Sequence, residues 1–166
     1  MDAKIKNRHR LKSKDIRHLL EEIHCSFPTI SIRESSVVET GTLLDFGIVL
    51  IDGVVAFFKH EQQWLFTLEG LYTYQPKQKS VIVDMGAVSF VTNGADVMAA
   101  GIVEADATIA SGDVVWIADS NHRKALAVGI ALATGEEMVD QHQGKVIKNI
   151  HYVGDQLWKA IKQLSI

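Results

Sequence analysis

The sequence predicts an α+β protein of two domains, an N-terminal α/β domain followed by a small C-terminal β-barrel. Apolar residues recur at helical spacing in residues 16–23 and 157–164, whereas the second half holds short β-branched segments separated by Gly, Asp and Asn. Regularly spaced short strands are typical of a closed or nearly closed barrel. A polar stretch, QPKQKS at 75–80, separates the halves. We therefore expect one domain at residues 1–77 and another at 78–166.

The chain begins with a basic segment. A cation stands at every second position of KIKNRHRLKSK, and an extended strand would place all of them on one face. These cations are Lys4, Lys6, Arg8, Arg10, Lys12 and Lys14. Residues 1–18 hold seven basic and two acidic residues, a net +5, which leaves −8 for the remainder of a chain whose total charge is −3. The asymmetry favours contact with a polyanion, and a solvated, partly frayed terminus is the alternative.

A helix, a hairpin and an aromatic cluster complete the first half. The helix is indicated by an apolar stripe between Ser13, the expected N-cap, and Pro28. Asp52-Gly53 separates two β-branched runs and predicts a type I′ hairpin turn. WLFTLEGLYTY predicts a small core and a short helix around 67–71. The stripe consists of Ile16, Leu19, Leu20 and Ile23.

The second half predicts five strand segments and a final helix. DSNHRK at 119–124 is expected to be a turn, with His122 in solvent, and Asp155 is expected to cap the final helix. The strand segments are SVIVDMGAVSFV, GIVEADATIA, DVVWIAD, KALAVGIALAT and GKVIKNIHYV. The apolar face of the final helix holds Leu157, Trp158, Ile161 and Leu164.

One stretch, VTNGADVMAAGI at 91–102, fits neither an ordinary helix nor an ordinary strand. Gly94 and Gly101 bracket a one-turn apolar segment, with β-branched residues on both sides. The stretch is therefore either a folding device or a binding surface.

No catalytic motif stands out, so we predict no catalytic residue, no metal and no cofactor. His24 and Cys25 are adjacent but lack a second pair at metal-ligand spacing, and no G-x-S-x-G, G-x-G-x-x-G or P-loop pattern occurs. The lone cysteine fits a reducing cytoplasm. Because no apolar run reaches about 18 residues, no membrane contact is expected.

GAVSFVTNGADVMAAGI, followed by short strands, resembles the signature of the PUA domain, a pseudobarrel named after pseudouridine synthases and archaeosine transglycosylases. With NIHYVGDQLW, WLFTL and the basic segment, the whole chain is similar to the malignant T-cell-amplified-sequence family and its archaeal relatives. In these proteins an N-terminal α/β pre-PUA domain precedes a C-terminal PUA domain. Ala100 stands where the PUA pattern usually has proline, and Met85 stands where close relatives carry lysine.

The resemblance implies a non-catalytic cytoplasmic protein that binds structured RNA, either rRNA or tRNA. It further implies action at the small ribosomal subunit in translation initiation or recycling, with a partner that carries an initiation-factor-like domain. PUA domains usually meet RNA through the helix after the first strand, the turn into the second strand and a late strand. Here these positions are Gly94, Ala95, Asp96, Met98, Ala99, Ala100, Gly101, Lys145, Lys148, Asn149, His151 and Tyr152.

Alternatives remain at the sequence level. The protein could present tRNA or rRNA to a separate modification enzyme, or it could bind a basic protein through its acidic remainder. The two glycines could serve turn geometry alone, and Met98, His151 and Tyr152 could belong to the core. Because the second half holds more acids than bases, we expect the basic segment, as the secondary surface, to supply much of the attraction for RNA. Deleting residues 1–12 should then cost more affinity than Lys145→Ala with Lys148→Ala.

Overall fold

A computed structural model describes residues 3–164. The described chain divides into two compact units, one formed by residues 3–76 with 156–164 and the other by residues 77–155. The division differs from the expected domains at the C-terminus, because the final helix belongs to the first unit. The expected α+β class is confirmed, since the first unit combines a sheet with helices and the second contains a barrel-like sheet.

The first unit contains a five-stranded antiparallel sheet whose strands follow chain order. Its hairpin between β3 and β4 turns at Asp52 and Gly53, whose φ angles of 50° and 83° are those of a type I′ turn, so that prediction is confirmed. The strands are β1 (Ile5–Arg10), β2 (Val38–Leu43), β3 (Phe46–Ile51), β4 (Val54–His60) and β5 (Gln63–Phe66).

Two helices of this unit follow from local sequence. In α1 (Ser13–Ser26) the predicted stripe buries Leu19 and Ile23, although the N-cap is Lys12 rather than Ser13. The helix expected around 67–71 is α2 (Leu68–Tyr74), which Thr67 caps by accepting from the Gly70 backbone N–H. The final helix, labelled α5 below, also belongs to this unit.

The aromatic residues of the first unit form its core. The rings of Phe27 and Phe57 lie 4.8 Å and 4.5 Å from the ring of Phe66, and all three side chains are fully buried. Such ring pairs add to the burial of apolar area. The prediction that WLFTLEGLYTY builds a small core is confirmed for Phe66, Leu68 and Leu71, which are buried, but not for Tyr72, which is exposed.

The expectation of one extended basic strand over residues 4–14 is wrong. Strand β1 spans six residues, and its register with β2 shifts between Lys6 and His9, where Asn7 has a φ of 55°. A bulge of this kind breaks the alternation of side chains between two faces. The last cation of the segment, Lys14, lies in α1.

The second unit contains a six-stranded sheet that curls into a nearly closed barrel, with the strand order β7-β11-β10-β9-β6-β8. Strand β6 pairs with β9 in parallel, and the other pairs are antiparallel. Its elements are β6 (Ser80–Val83), α3 (Met85–Val91), β7 (Val97–Met98), a 3-10 turn (Ala99–Gly101), β8 (Ile102–Ala105), β9 (Val114–Asp119), β10 (Ala125–Ala131), α4 (Gly135–Asp140) and β11 (Lys145–Tyr152). The chain then enters α5 (Gln156–Leu164).

The sequence predicts a single strand for SVIVDMGAVSFV, and this prediction is wrong. Asp84 ends β6 and starts α3, since its carboxylate accepts from the Ala87 backbone N–H at 2.9 Å. The short helix of this region therefore lies before Gly94, and the segment that the two glycines bracket holds β7 and the 3-10 turn. The predicted turn at 119–124 is confirmed: Asp119 accepts from the backbone N–H groups of Asn121 and His122, and His122 is exposed.

Candidate nucleic-acid interface

The corner between β6 and β8 exposes large apolar side chains. In helix α3, Val91 packs in the barrel core, whereas Phe90 is 66% exposed and Met85 is 46% exposed. After the helix, Met98 of β7 is 49% exposed, so the alternative that its side chain belongs to the core is wrong, whereas Val97 is buried there. Exposed aromatic and thioether side chains at one corner are typical of a binding surface.

Phe90 and Met98 line a groove of about 370 Å³ between α3 and the 3-10 turn. Its charged lining residues, Asp84 and Asp96, are both acidic. A ligand here therefore meets mainly apolar surface and two carboxylates rather than a cluster of cations. The lining residues are Asp84, Gly86, Ala87, Phe90, Val91, Asp96, Val97, Met98, Ala100 and Gly101.

The two glycines of the corner allow close packing within the protein. Gly94 has a φ of +91°, and a Cβ placed on it would lie 2.8 Å from the hydroxyl oxygen of Tyr152. A Cβ on Gly101 would lie 3.1 Å from that of Ala87 in α3. Gly94 is hence favoured by its backbone conformation and by the nearby Tyr152, independently of any approach by a ligand, whereas a side chain at Gly101 needs Ala87 to shift by only a few tenths of an ångström.

Asn149 of β11 ties the corner to the barrel. Its side-chain amide donates to the carbonyl oxygens of Val91 and Ala95, each at 3.0 Å, and its backbone N–H donates to Asp96 at 2.9 Å. The last of these bonds holds the pKa of Asp96 below its ordinary value, and Lys145, whose Nζ lies 3.0 Å from the carboxylate, contributes further. Asn149 therefore positions the loop.

The residues expected to bind RNA fall into different environments. His151 and Ala99 are 1% and 3% exposed, so neither side chain is open to a ligand, and the His151 imidazole contacts Asp155 at 2.8 Å. Tyr152, which lies beside Gly94, is half-buried, and Gly101 and Asp96 are half-buried as well. The exposed members of the set are Ala95, Met98, Ala100, Lys145 and Lys148.

The sequence prediction of this site did not include Phe90. This residue belongs to SVIVDMGAVSFV, whose β-branched residues predict a strand, so the faces of a helix do not enter that prediction. On a helix that buries Val91, with Ala87 and Val88 half-buried, Phe90 lies on another face. The sequence signal for this helix is Asp84, because aspartate is a favoured N-cap residue. Its carboxylate accepts from the Ala87 backbone N–H three residues later.

The cations of the basic segment also lie in different surroundings. Arg8 forms two hydrogen bonds to Glu39, at 2.8 and 3.0 Å, and is thus part of the β1–β2 pairing. Lys4 and Lys6 are exposed on one side of it along the chain, and Arg10 and Lys12 are exposed on the other side. Hence no single strand presents the six cations together.

Neither a metal site nor a membrane span is found in the part of the chain that the structure describes. No three His, Cys, Asp or Glu side chains among residues 3–164 are grouped so that they could hold a metal ion. No helix in this range is long and apolar enough to cross a membrane.

Comparison with known proteins agrees with this architecture. Residues 79–153 match the PUA domain family, and residues 7–73 match a domain of unknown function, DUF1947. A structure of a PUA-domain protein from Aeropyrum pernix shares the fold, with a TM-score of 0.89 at 23% identity over 99% of this chain and 95% of that chain. A hypothetical protein from Pyrococcus horikoshii has a TM-score of 0.83 at 30% identity over 93% of this chain and 99% of that chain. The protein is thus a PUA-domain protein with a second domain before the barrel.

The sequence relatives define the family more closely. An uncharacterized protein of Methanocaldococcus jannaschii is 42% identical over 93% of this chain and 96% of its own length. Translation machinery-associated protein 20 of Saccharomyces cerevisiae is 29% identical over 93% of this chain and 92% of its own length. A malignant T-cell-amplified sequence 1 homolog of Drosophila melanogaster is 33% identical over 65% of this chain and 62% of its own length. The chain belongs to the malignant T-cell-amplified-sequence family and its archaeal relatives.

Proposed function

We propose that the protein is a non-catalytic RNA-binding factor of translation that acts in the cytoplasm at the small ribosomal subunit, in initiation or recycling. Its ligand is structured rRNA or tRNA, and a protein with an initiation-factor-like domain is its partner. The PUA domain and the yeast relative named for the translation machinery support this proposal.

The observation that carries the proposal is the exposed apolar groove at the PUA corner. An unpaired base can stack on an aromatic ring, and Phe90 presents such a ring to solvent. Met98 extends the apolar surface, and Lys148, exposed on the neighbouring strand β11, offers a cation to a phosphate. Lys145 is already paired with Asp96 and contributes less positive charge.

Phe90→Ala tests this mode of binding. Because Phe90 lies mostly in solvent, we expect the fold to persist and RNA affinity to fall about fivefold to a hundredfold, the loss associated with one stacked base. The measurement is a titration of small-subunit rRNA fragments and tRNA at fixed salt. Leu132→Ala removes another exposed apolar side chain of the same unit and should leave affinity unchanged.

Co-sedimentation of the full chain with small ribosomal subunits tests the cellular role. We expect the wild-type chain to sediment with the subunit and Phe90→Ala to do so weakly. Copurification with an RNA-modification enzyme, without subunit binding, would instead favour a role in presenting RNA to that enzyme. Equal binding by Phe90→Ala and the wild type would contradict the assigned corner.

A further inference from the structure

A second groove lies in the first unit, beside the first turns of α1. It consists of two adjoining depressions of about 390 and 470 Å³. They form one continuous groove because both are lined by Ser13, Ile16, Glu34 and Ser36. The groove is separate from the PUA corner, since all of its lining residues belong to the first unit.

The floor of this groove is aliphatic. Ile16 and Leu20 come from the apolar stripe of α1, yet unlike Leu19 and Ile23 both are only half-buried. Leu11 and Ile32, also half-buried, extend the floor at its two ends. Partly exposed aliphatic side chains gain about 25 cal/mol for each Å² that a ligand covers, so the floor favours an apolar side chain.

The rim of the groove is mainly cationic. Arg10, Lys12 and Arg33 line it and are exposed, and Glu34 is the acidic lining residue. Within residues 3–164 the side chains of Arg10 and Lys12 form neither a hydrogen bond nor a salt bridge. Arg33 is 83% exposed and forms a salt bridge with Asp52 at 3.7 Å. The rim hence attracts negative charge.

We propose that this groove binds an acidic segment of a partner protein, with a bulky apolar side chain on the aliphatic floor and carboxylates against the three rim cations. Proteins recognise unpaired RNA bases largely by stacking on flat side chains, and no aromatic residue lines the groove. An aliphatic floor inside a charged rim is instead the arrangement of a protein–protein contact, with an apolar centre and a polar edge. The chemistry therefore favours an acidic peptide over RNA.

The test uses the full chain and a panel of short fluorescent peptides in which Asp and Glu flank one Leu, Ile, Phe or Trp. Anisotropy titrations measure affinity, and methyl NMR spectra locate the peptide. We expect saturable binding that shifts the methyl signals of Leu11, Ile16, Leu20 and Ile32. The same peptides with Lys in place of the acids should not bind.

Two variants with equal charge change separate the groove from general attraction. Arg10→Glu with Lys12→Glu should weaken the acidic peptides about tenfold or more, which corresponds to about 1.4 kcal/mol. Lys4→Glu with Lys6→Glu, the matched control outside the groove lining, should change affinity about twofold or less. All four residues are exposed, so the fold should survive both double changes. Ile32→Ala should weaken binding without altering charge.

Three results would overturn the proposal. These are failure of every acidic peptide to saturate at millimolar concentration, equal loss in the two charge variants, and an RNA oligonucleotide that shifts the same methyl signals and displaces the peptide. The Phe90→Ala variant should bind the peptides as the wild type does, so a failure here leaves the RNA surface of the PUA corner unaffected.

Discussion

At the scale of single residues, the PUA corner depends on groups that position the loop rather than on groups that touch a ligand. Asn149 donates two side-chain hydrogen bonds and one backbone hydrogen bond to the end of α3 and the loop after it. The absence of a side chain at Gly94 leaves room for Tyr152. The exposed Phe90 and Met98 are held in place by this internal frame. The residues that shape the groove and those that face solvent are therefore different sets.

Gly94→Ala should destabilise the second unit more than Gly112→Ala does. Both glycines have positive φ, +91° and +93°, so alanine is strained by about 1–2 kcal/mol at either position. Only at Gly94 would the new Cβ also meet Tyr152, and overpacking adds about 1–3 kcal/mol. Urea denaturation followed by circular dichroism measures the difference. Equal losses would show that Tyr152 moves aside freely.

Asp96 should make the corner sensitive to acid. Its folded pKa is lowered, first by the Asn149 backbone N–H and then by Lys145. A carboxylate whose folded pKa is lower contributes stability above its unfolded pKa, about 3.9, and loses it as pH falls through the folded value. The urea midpoint of the wild type should thus fall more steeply below about pH 4 than that of Asp96→Asn. Parallel curves would contradict this role for Asp96.

At the scale of elements, α3 shows that β-branched residues alone do not determine a strand. VIV and VSFV surround DMGA, and both runs favour strands by composition. The Asp84 cap and the burial of Val91 against the barrel core outweigh that preference. Local propensity is a weak guide where one hydrogen bond begins a helix that packing then stabilises.

The basic segment should contribute to RNA binding through its exposed cations, and deletion is a poor way to measure this. Removing residues 1–12 would also remove β1, which pairs with β2, and the Arg8–Glu39 ion pair. We therefore compare Lys4→Gln with Lys6→Gln against Lys145→Gln with Lys148→Gln. Each pair removes two positive charges.

The pair at Lys4 and Lys6 should cost more affinity than the pair at Lys145 and Lys148, because Lys145 is already neutralised by Asp96. The change at Lys4 and Lys6 should also make the plot of log affinity against log salt less steep, by the amount expected for about two phosphate contacts. Titrations of tRNA or rRNA fragments over a range of salt provide both values. The reverse order of affinities would contradict a leading role for the N-terminal cations.

At the scale of the whole molecule, the chain returns from the PUA unit to the first unit through α5. The helix buries Leu157, Ala160 and Ile161, and its Lys162 lies 2.7 Å from Glu69 of α2. Trp158, expected in the core, is half-buried, with Lys162 lying 5.4 Å from the ring centroid. The first unit is thus built from two distant parts of the sequence.

Ile161→Ala should destabilise the first unit and leave the second unit intact. Replacing a buried isoleucine by alanine costs about 2–5 kcal/mol, a large share of the stability of a small domain. Hydrogen exchange should accelerate in β3 and β4 while β9 and β10 keep their protection. Lys159→Ala, an exposed change on the same helix, is the control. Equal acceleration in both units would mean that they unfold together.

Periodicity and turn chemistry in the sequence by themselves determined several local features of the fold: the stripe of α1, the Asp52-Gly53 hairpin and the turn at 119–124. These features depend on neighbours within a few residues, so local pattern is sufficient. The PUA signature likewise located the corner at 91–102, which includes Met98 and Ala100 of the groove.

Only the tertiary structure decided which of those corner residues face solvent and to which unit α5 belongs. His151 and Lys148 occupy the same strand, yet the first is buried and the second is exposed. The pairing of Lys145 with Asp96 and the close approach of Tyr152 to Gly94 join residues 49 and 58 positions apart in sequence. Burial and charge pairing at such separations depend on the packing of the whole chain, which no local pattern contains.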